Sequence, residues 1–234
     1  MLSSQKRLTV LKICAIVFIA LELVLFPLIQ FTPADTSAIA SYTAIVLVAI
    51  FAFLTVGIEE GGKYIRLGFI GTLVADYFLV LCDDAQLEGV VAFIFVQLAY
   101  CVYLLAKEER SRVRYANVLS RIGLTAVLMV CAMIILGTDT DMLVIASVIY
   151  YANLVVNAVF AFFLGKKERI FAIGLVLFAM CDLCIGLEVL FDTYLSSDAL
   201  SFFYGANINL PWIFYQPSQV LIALRLYHSV YAQN

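Results

Sequence analysis

Charge is scarce in this chain. Of its 234 residues only 13% are charged while 65% are hydrophobic, and the mean hydropathy is +1.05. A water-soluble domain carries roughly a quarter charged residues. Too little polar surface is present here to coat a soluble globule, so the composition is that of an integral membrane protein. Histidine is scarcer still: His228, near the C-terminal end, is the one residue of its type. That excludes a zinc site built from histidines and a Ser–His dyad. No lysine falls in the middle of an apolar run, which excludes a Schiff-base attachment. Four prolines and twelve glycines are too few for a collagen-like or disordered chain. Alternating apolar patterns are missing, so a transmembrane β-barrel is excluded, and without strands there is no setting for a Gly-rich phosphate loop. No basic block addresses nucleic acid. No metal and no organic cofactor is expected.

What the chain does have is apolar runs. Eight are read, at roughly 9–29, 38–57, 64–82, 88–106, 117–136, 142–164, 170–191 and 209–227, each near the roughly 20 residues a membrane-spanning helix needs. The expected fold is all-α: a polytopic membrane protein of eight transmembrane helices, forming one transmembrane domain over 1–234. The fourteen Lys and Arg residues alternate with these runs. They fall before or at the start of the first run (Lys6, Arg7, Lys12), before or at the start of the third (Lys63, Arg66) and before or at the start of the fifth (Lys107, Arg110, Arg112, Arg114, Arg121). The remainder lie between the sixth and seventh (Lys166, Lys167, Arg169) and at the end (Arg225). All are on one side, and the opposite loops carry only carboxylates: Asp35, Asp83, Asp84, Glu88, Asp139, Asp141, Asp192 and Asp198. The positive-inside rule then expects both termini in the cytoplasm.

Four carboxylates stand inside the runs: Glu22, Asp76, Asp182 and Glu188. A charge near the bilayer centre costs about 2.5–3.5 kcal/mol on insertion scales, and such residues usually face a bundle interior. Glu22, Asp76 and Asp182 should lie within about 5 Å of the midplane at 1.5 Å per residue, whereas Glu188 lies closer to the outer interface and can snorkel. Other runs place polar groups at the same level. These are Gln97 and Tyr100; Tyr150, Asn153 and Asn157 at helical spacing; and Tyr215, Gln216, Ser218 and Gln219 around Pro217. The second and fifth helices offer nothing comparable and are expected at the periphery. Six helices thus contribute to one polar layer, which implies an enclosed pocket. Asp76 and Asp182 are the candidate acid–base pair, with Glu22, Gln97, Tyr100, Tyr150, Asn153, Asn157, Tyr215 and Gln219 as candidate substrate contacts. Asn153 and Asn157 read equally well as interhelical glue. Gly68 precedes Asp76 by the same eight residues as Gly174 precedes Asp182, a hint of a four-plus-four duplication.

The stretch GTLVADYFLVLCDDAQLEGVVAFIFVQLAYCVY, the segment IGLVLFAMCDLCIGL and the late FYQPSQVLIALRLY together resemble the YhhN-like lysoplasmalogenase family. The pattern covers roughly the third to eighth helices. It comprises an aspartate late in the third, a polar residue and a tyrosine in the fourth, and an aspartate in the seventh. The resemblance implies an eight-helix membrane hydrolase, multi-pass in a bacterial plasma membrane. Such an enzyme cleaves the vinyl ether of lysoplasmalogens to a fatty aldehyde and a glycerophospho-head group. The implied partners are a lysophospholipid substrate and the surrounding membrane lipid. Vinyl ether hydrolysis needs one carboxylic acid to protonate carbon and a second carboxylate to stabilise the cation and activate water, a task that suits Asp76 and Asp182. Two other functions fit a midplane carboxylate pair: proton-coupled transport of a small or lipidic solute, and lipid binding without catalysis.

Overall fold

The computed structural model describes residues 4–55, 61–82, 84–194 and 209–231. Among the described residues there are eight α-helices and no strand: α1 Ser4–Phe31, α2 Ala34–Leu54, α3 Gly62–Leu81, α4 Gln86–Lys107, α5 Ser111–Leu136, α6 Met142–Phe163, α7 Arg169–Tyr194 and α8 Leu210–Tyr231. Short 3-10 turns, Gly137–Asp139 and Lys166–Glu168, precede α6 and α7. Each helix coincides with one apolar run of the sequence. Seven of them, α1 to α7, are long and apolar enough to cross a membrane. The eighth is 22 residues long, with Pro217 inside it. The protein is a multi-pass helical membrane bundle. Its outer surface fits that solvent: on α5, for example, Ile122, Val127, Met133 and Ile134 are all exposed. Asp83 and Asp198 of the carboxylate-bearing loops, and the expected last residues of the second run, lie outside the described residues.

Six helices close into a ring. α2 packs on α3, α3 on α4, α4 on α6, α6 on α7, α7 on α8, and α8 returns to α2. α1 lies against α2 and α8, and α5 lies against α6. The pattern repeats after four helices. α1 on α2 matches α5 on α6, the run α2–α3–α4 matches α6–α7–α8, and α4 meets α6 as α8 meets α2. The Gly–Asp spacing of the sequence obeys the same repeat, since Gly68 and Asp76 lie on α3 and Gly174 and Asp182 on α7. Four being even, both halves run in the same direction, so the axis relating them lies along the bundle.

The expected periphery is half right. α5 buries only Asn117 and is an outer helix. α2 is part of the ring, and Ala44, Ile45, Val48 and Ala52 on it are fully buried. The reason is physical: inside a bilayer a helix needs no polar group to be interior, only small and branched side chains that let neighbours approach. A polar-residue criterion therefore overlooks it.

Gly68 and Gly174, the glycines of the Gly–Asp spacing, both sit at close helix approaches. A Cβ on Gly68 would stand 2.3 Å from Cε1 of Tyr100, and one on Gly174 would stand 3.0 Å from the Ser218 carbonyl oxygen. Tyr100 is fully buried and touches Phe171 edge-on at 5.3 Å, so it has no room to retreat. Gly68→Ala is expected to destabilise the bundle by about 1–3 kcal/mol through overpacking. Thermal unfolding in detergent measures this, and an unchanged midpoint would contradict the close α3–α4 contact.

Candidate functional site

Two aspartates lie in the ring, and each is held by a tyrosine from another helix. Tyr215 on α8 donates its hydroxyl to Oδ2 of Asp76 on α3 at 2.7 Å. Tyr150 on α6 donates to Oδ2 of Asp182 on α7 at 2.5 Å. The two pairs share one aromatic wall. Phe93 of α4 stacks on Tyr150 at 5.5 Å and meets Tyr215 edge-on at 6.4 Å. Phe178 of α7 lies 5.2 Å from Tyr215 and 6.3 Å from Tyr150, and the two phenylalanines are 5.3 Å apart. Trp212 closes the far side of Tyr215 at 5.1 Å. Asp76 is buried and Asp182 only partly so. With Oδ2 of each aspartate taken by a phenol, each carboxyl presents its Oδ1 for further chemistry. α3, α6, α7 and α8 supply the polar groups of this arrangement and α4 supplies Phe93, whereas the sequence expectation is a polar layer from six helices that includes the first.

One turn further along α4 and α8 stand Gln97 and Gln219, both fully buried. Gln97 Oε1 and its backbone carbonyl accept from Asn157 Nδ2, both at 2.9 Å, while Gln97 Nε2 has no protein partner. Gln219 Nε2 donates to Ser218 Oγ at 3.3 Å, and its Oε1 has none. The Tyr100 hydroxyl leans toward Thr72 without reaching hydrogen-bond geometry. Gln97 Nε2 is thus a buried donor, and Gln219 Oε1 a buried acceptor, without a protein partner.

Glu22 is placed apart from the pair. Its Oε2 accepts from Gln216 Nε2 at 2.7 Å, and the same nitrogen reaches the Glu22 carbonyl at 2.9 Å. This clamp ties α1 to α8 directly behind Tyr215. A second clamp lies at the end of α1, where Gln30 and the Asn209 backbone exchange two hydrogen bonds of 3.2 and 3.0 Å.

Asn153 and Asn157 serve a cation. Arg121, three turns into α5, donates Nε to Asn117 Oδ1 at 2.8 Å, Nη1 to Asn153 Oδ1 at 2.7 Å and Nη2 to Asn157 Oδ1 at 2.7 Å. The sequence reading assigned Arg121 to a loop, but α5 begins ten residues earlier, at Ser111. Three amide oxygens satisfy the guanidinium and attach α5 to α6, and Asn157 passes the connection on to Gln97 of α4. Of the two readings left open for these asparagines, the interhelical one describes their bonds.

Sequence reasoning missed a third polar cluster. Glu168, in the turn before α7, accepts two bonds from Arg225 of α8, at 2.8 and 2.6 Å. It also accepts one from the Tyr103 hydroxyl of α4 at 2.8 Å. All three residues are buried. The one available signal was an acidic residue alone in the basic stretch 166–169. Arg66 was likewise counted as a loop charge. It is buried, and it donates Nε to the Ala52 carbonyl at 3.0 Å and Nη2 to the Thr55 carbonyl at 2.7 Å, satisfying the open C-terminal carbonyls of α2. Among the described residues no three His, Cys, Asp or Glu side chains form a metal-binding group.

A ring of membrane helices with two tyrosine-held carboxylates, one buried and one partly so, defines the class. Residues 36–226 match the YhhN family, and the chain belongs to that family. Comparison with curated proteins and with solved structures gave no match.

Proposed function

We propose that the protein is a membrane hydrolase acting on the vinyl ether of lysoplasmalogens, with Asp76 and Asp182 as its acid–base pair. The observation that carries the reading is the meeting of two aspartate–tyrosine pairs around Phe93 and Phe178. Cleavage starts when a protonated carboxyl gives its proton to the β-carbon of the enol ether. This leaves an oxocarbenium ion, which the ionised partner carboxylate stabilises. The partner then takes a proton from water as the oxygen adds to the cation. The resulting hemiacetal collapses to a fatty aldehyde and the glycerophospho alcohol. One proton is consumed and one released, so the pair is ready for the next turnover with its roles exchanged or reset. The tyrosines hold each carboxyl in a fixed orientation. The aromatic wall offers π-faces to the cation. Gln97 Nε2 and Gln219 Oε1 would orient the attacking water.

The lysophospholipid reaches the pair from the bilayer on the side of Asp182, the more accessible of the two. The same reading puts both termini in the cytoplasm and the bundle in a bacterial plasma membrane, on the strength of the one-sided distribution of the fourteen basic residues. The test is to incubate purified protein with a 1-alkenyl lysophospholipid and to measure free aldehyde. Time-dependent release is expected. Its absence under conditions where the protein is folded would overturn the assignment.

A further inference from the structure

α5 lies outside the ring, and a cleft opens between its first turns and the end of α4. The wider part has a volume of about 560 Å³ and is lined by Val102, Leu105 and Ala106 of α4 and by Arg114, Tyr115 and Val118 of α5. A second recess, of about 10 Å³, shares Leu105 and Arg114 with it and is also lined by Glu108 and Asn117. The walls are apolar along their length and basic at the mouth. Between residues 107 and 114 stand Lys107, Arg110, Arg112 and Arg114, against Glu108 and Glu109.

Two donors in the cleft are available to a ligand. Arg114 spends its Nε on the Glu108 carbonyl at 2.6 Å, which fixes the guanidinium and leaves its Nη groups without a protein hydrogen bond. Asn117 is 1% exposed. Its Oδ1 is taken by Arg121, and its Nδ2 has no protein partner. The nearest carboxylate, Glu108, feels the charge of Arg114 but makes its side-chain hydrogen bonds to Arg110. Glu108 accepts from Arg110 Nε and Nη2, both at 2.8 Å, and from the Arg110 backbone at 2.9 Å. These bonds hold its carboxyl down at about 2, so it stays ionised and Arg110 answers its charge.

We propose that this cleft binds an anionic phospholipid, with the phosphate on Arg114, an acyl chain along Val102, Leu105, Ala106 and Val118, and the Asn117 amide reached through the single water for which its recess has room. Positive charge at the mouth favours an anionic headgroup over a zwitterionic one. The apolar length requires a chain, which free phosphate lacks. The buried Asn117 donor meets the headgroup through that water, since such a group is costly when left unmet. Tyr115, 67% exposed, stands where an interfacial aromatic contacts headgroups. The site is independent of the aspartate pair and of any reaction there.

The test uses the full chain in detergent, offered an equal mixture of phosphatidylglycerol and phosphatidylcholine and examined by native mass spectrometry. Preferential retention of phosphatidylglycerol is expected. Arg114→Gln should reduce that retention about fivefold, the effect of one cation at a lipid phosphate. Arg114 is exposed, so the variant should fold as the wild type does. Asn117→Asp, which keeps the acceptor for Arg121 while removing the donor, should reduce it at least as much. Arg112→Gln, outside the cleft lining, should leave it unchanged. Inorganic phosphate should not displace the lipid. Equal retention of the two lipids, undiminished retention in Arg114→Gln, or an equal loss in Arg112→Gln would each overturn the proposal.

Discussion

Asp76→Asn and Asp182→Asn are each expected to lower aldehyde release at least a hundredfold while leaving the bundle folded. The loss follows from the chemistry. An amide keeps the shape of the carboxyl but can neither give up nor take the proton in transit, and general acid–base catalysis supplies about 10²–10⁴ in rate. The retained fold follows from the solvent. Removing a mid-membrane charge relieves an insertion cost of about 2–3 kcal/mol, and the amide oxygen can still accept from Tyr215 or Tyr150. Thermal unfolding measured beside the activity separates the two effects. Should both variants hydrolyse a lysoplasmalogen at near wild-type rates, the carboxylates would not be the acid and base. Tyr215→Phe and Tyr150→Phe should give smaller losses, because the phenols orient the carboxyls and do not exchange protons with substrate.

The second large effect is expected away from this site. Glu168 and Arg225 pair at 2.6 Å with side chains 5% and 4% exposed. Removing one member leaves the other buried and uncompensated, at a cost of about 3–5 kcal/mol. Arg225→Met and Glu168→Leu should therefore each lower the unfolding midpoint sharply. The double variant should recover much of the loss, because it removes both charges together. A double variant as unstable as the sum of the singles would mean that the two charges are not coupled. The pair joins the turn before α7 to the end of α8, and Tyr103 extends it to α4.

The helices were legible because a bilayer demands long apolar runs, and no other element satisfies its backbone there. The aspartates were legible for the converse reason: a carboxylate in an apolar run is expensive and rarely idle. Their tyrosine partners were named as pocket residues, but not which tyrosine serves which aspartate. Tyr215 lies 139 residues from Asp76, and nothing local to either residue encodes that distance. Arg121, Arg66 and Arg225 show a different limit. Each sits near the end of an apolar run, where counting by side treats it as a solvated loop charge. Whether an arginine faces water or turns inward depends on which carbonyls, amides or carboxylates the neighbouring helices bring to it. Asn117, Asn153 and Asn157 meet at Arg121 only because α5 packs on α6. The Gly–Asp repeat was visible as a spacing, and it took the ring of helices to give it meaning as two halves of like packing.

The central claim is that hydrolysis begins with transfer of a solvent-exchangeable proton to the enol-ether carbon. Turnover of a lysoplasmalogen in D₂O tests it most directly, with the aldehyde reduced to the alcohol as it forms so that later exchange is suppressed. Protonation of the enol ether by a solvent-exchanged carboxyl places one deuterium on the carbon next to the former carbonyl, and mass spectrometry should find one added deuterium per product molecule, with turnover slower than in H₂O. Product carrying no deuterium at that carbon would contradict the account.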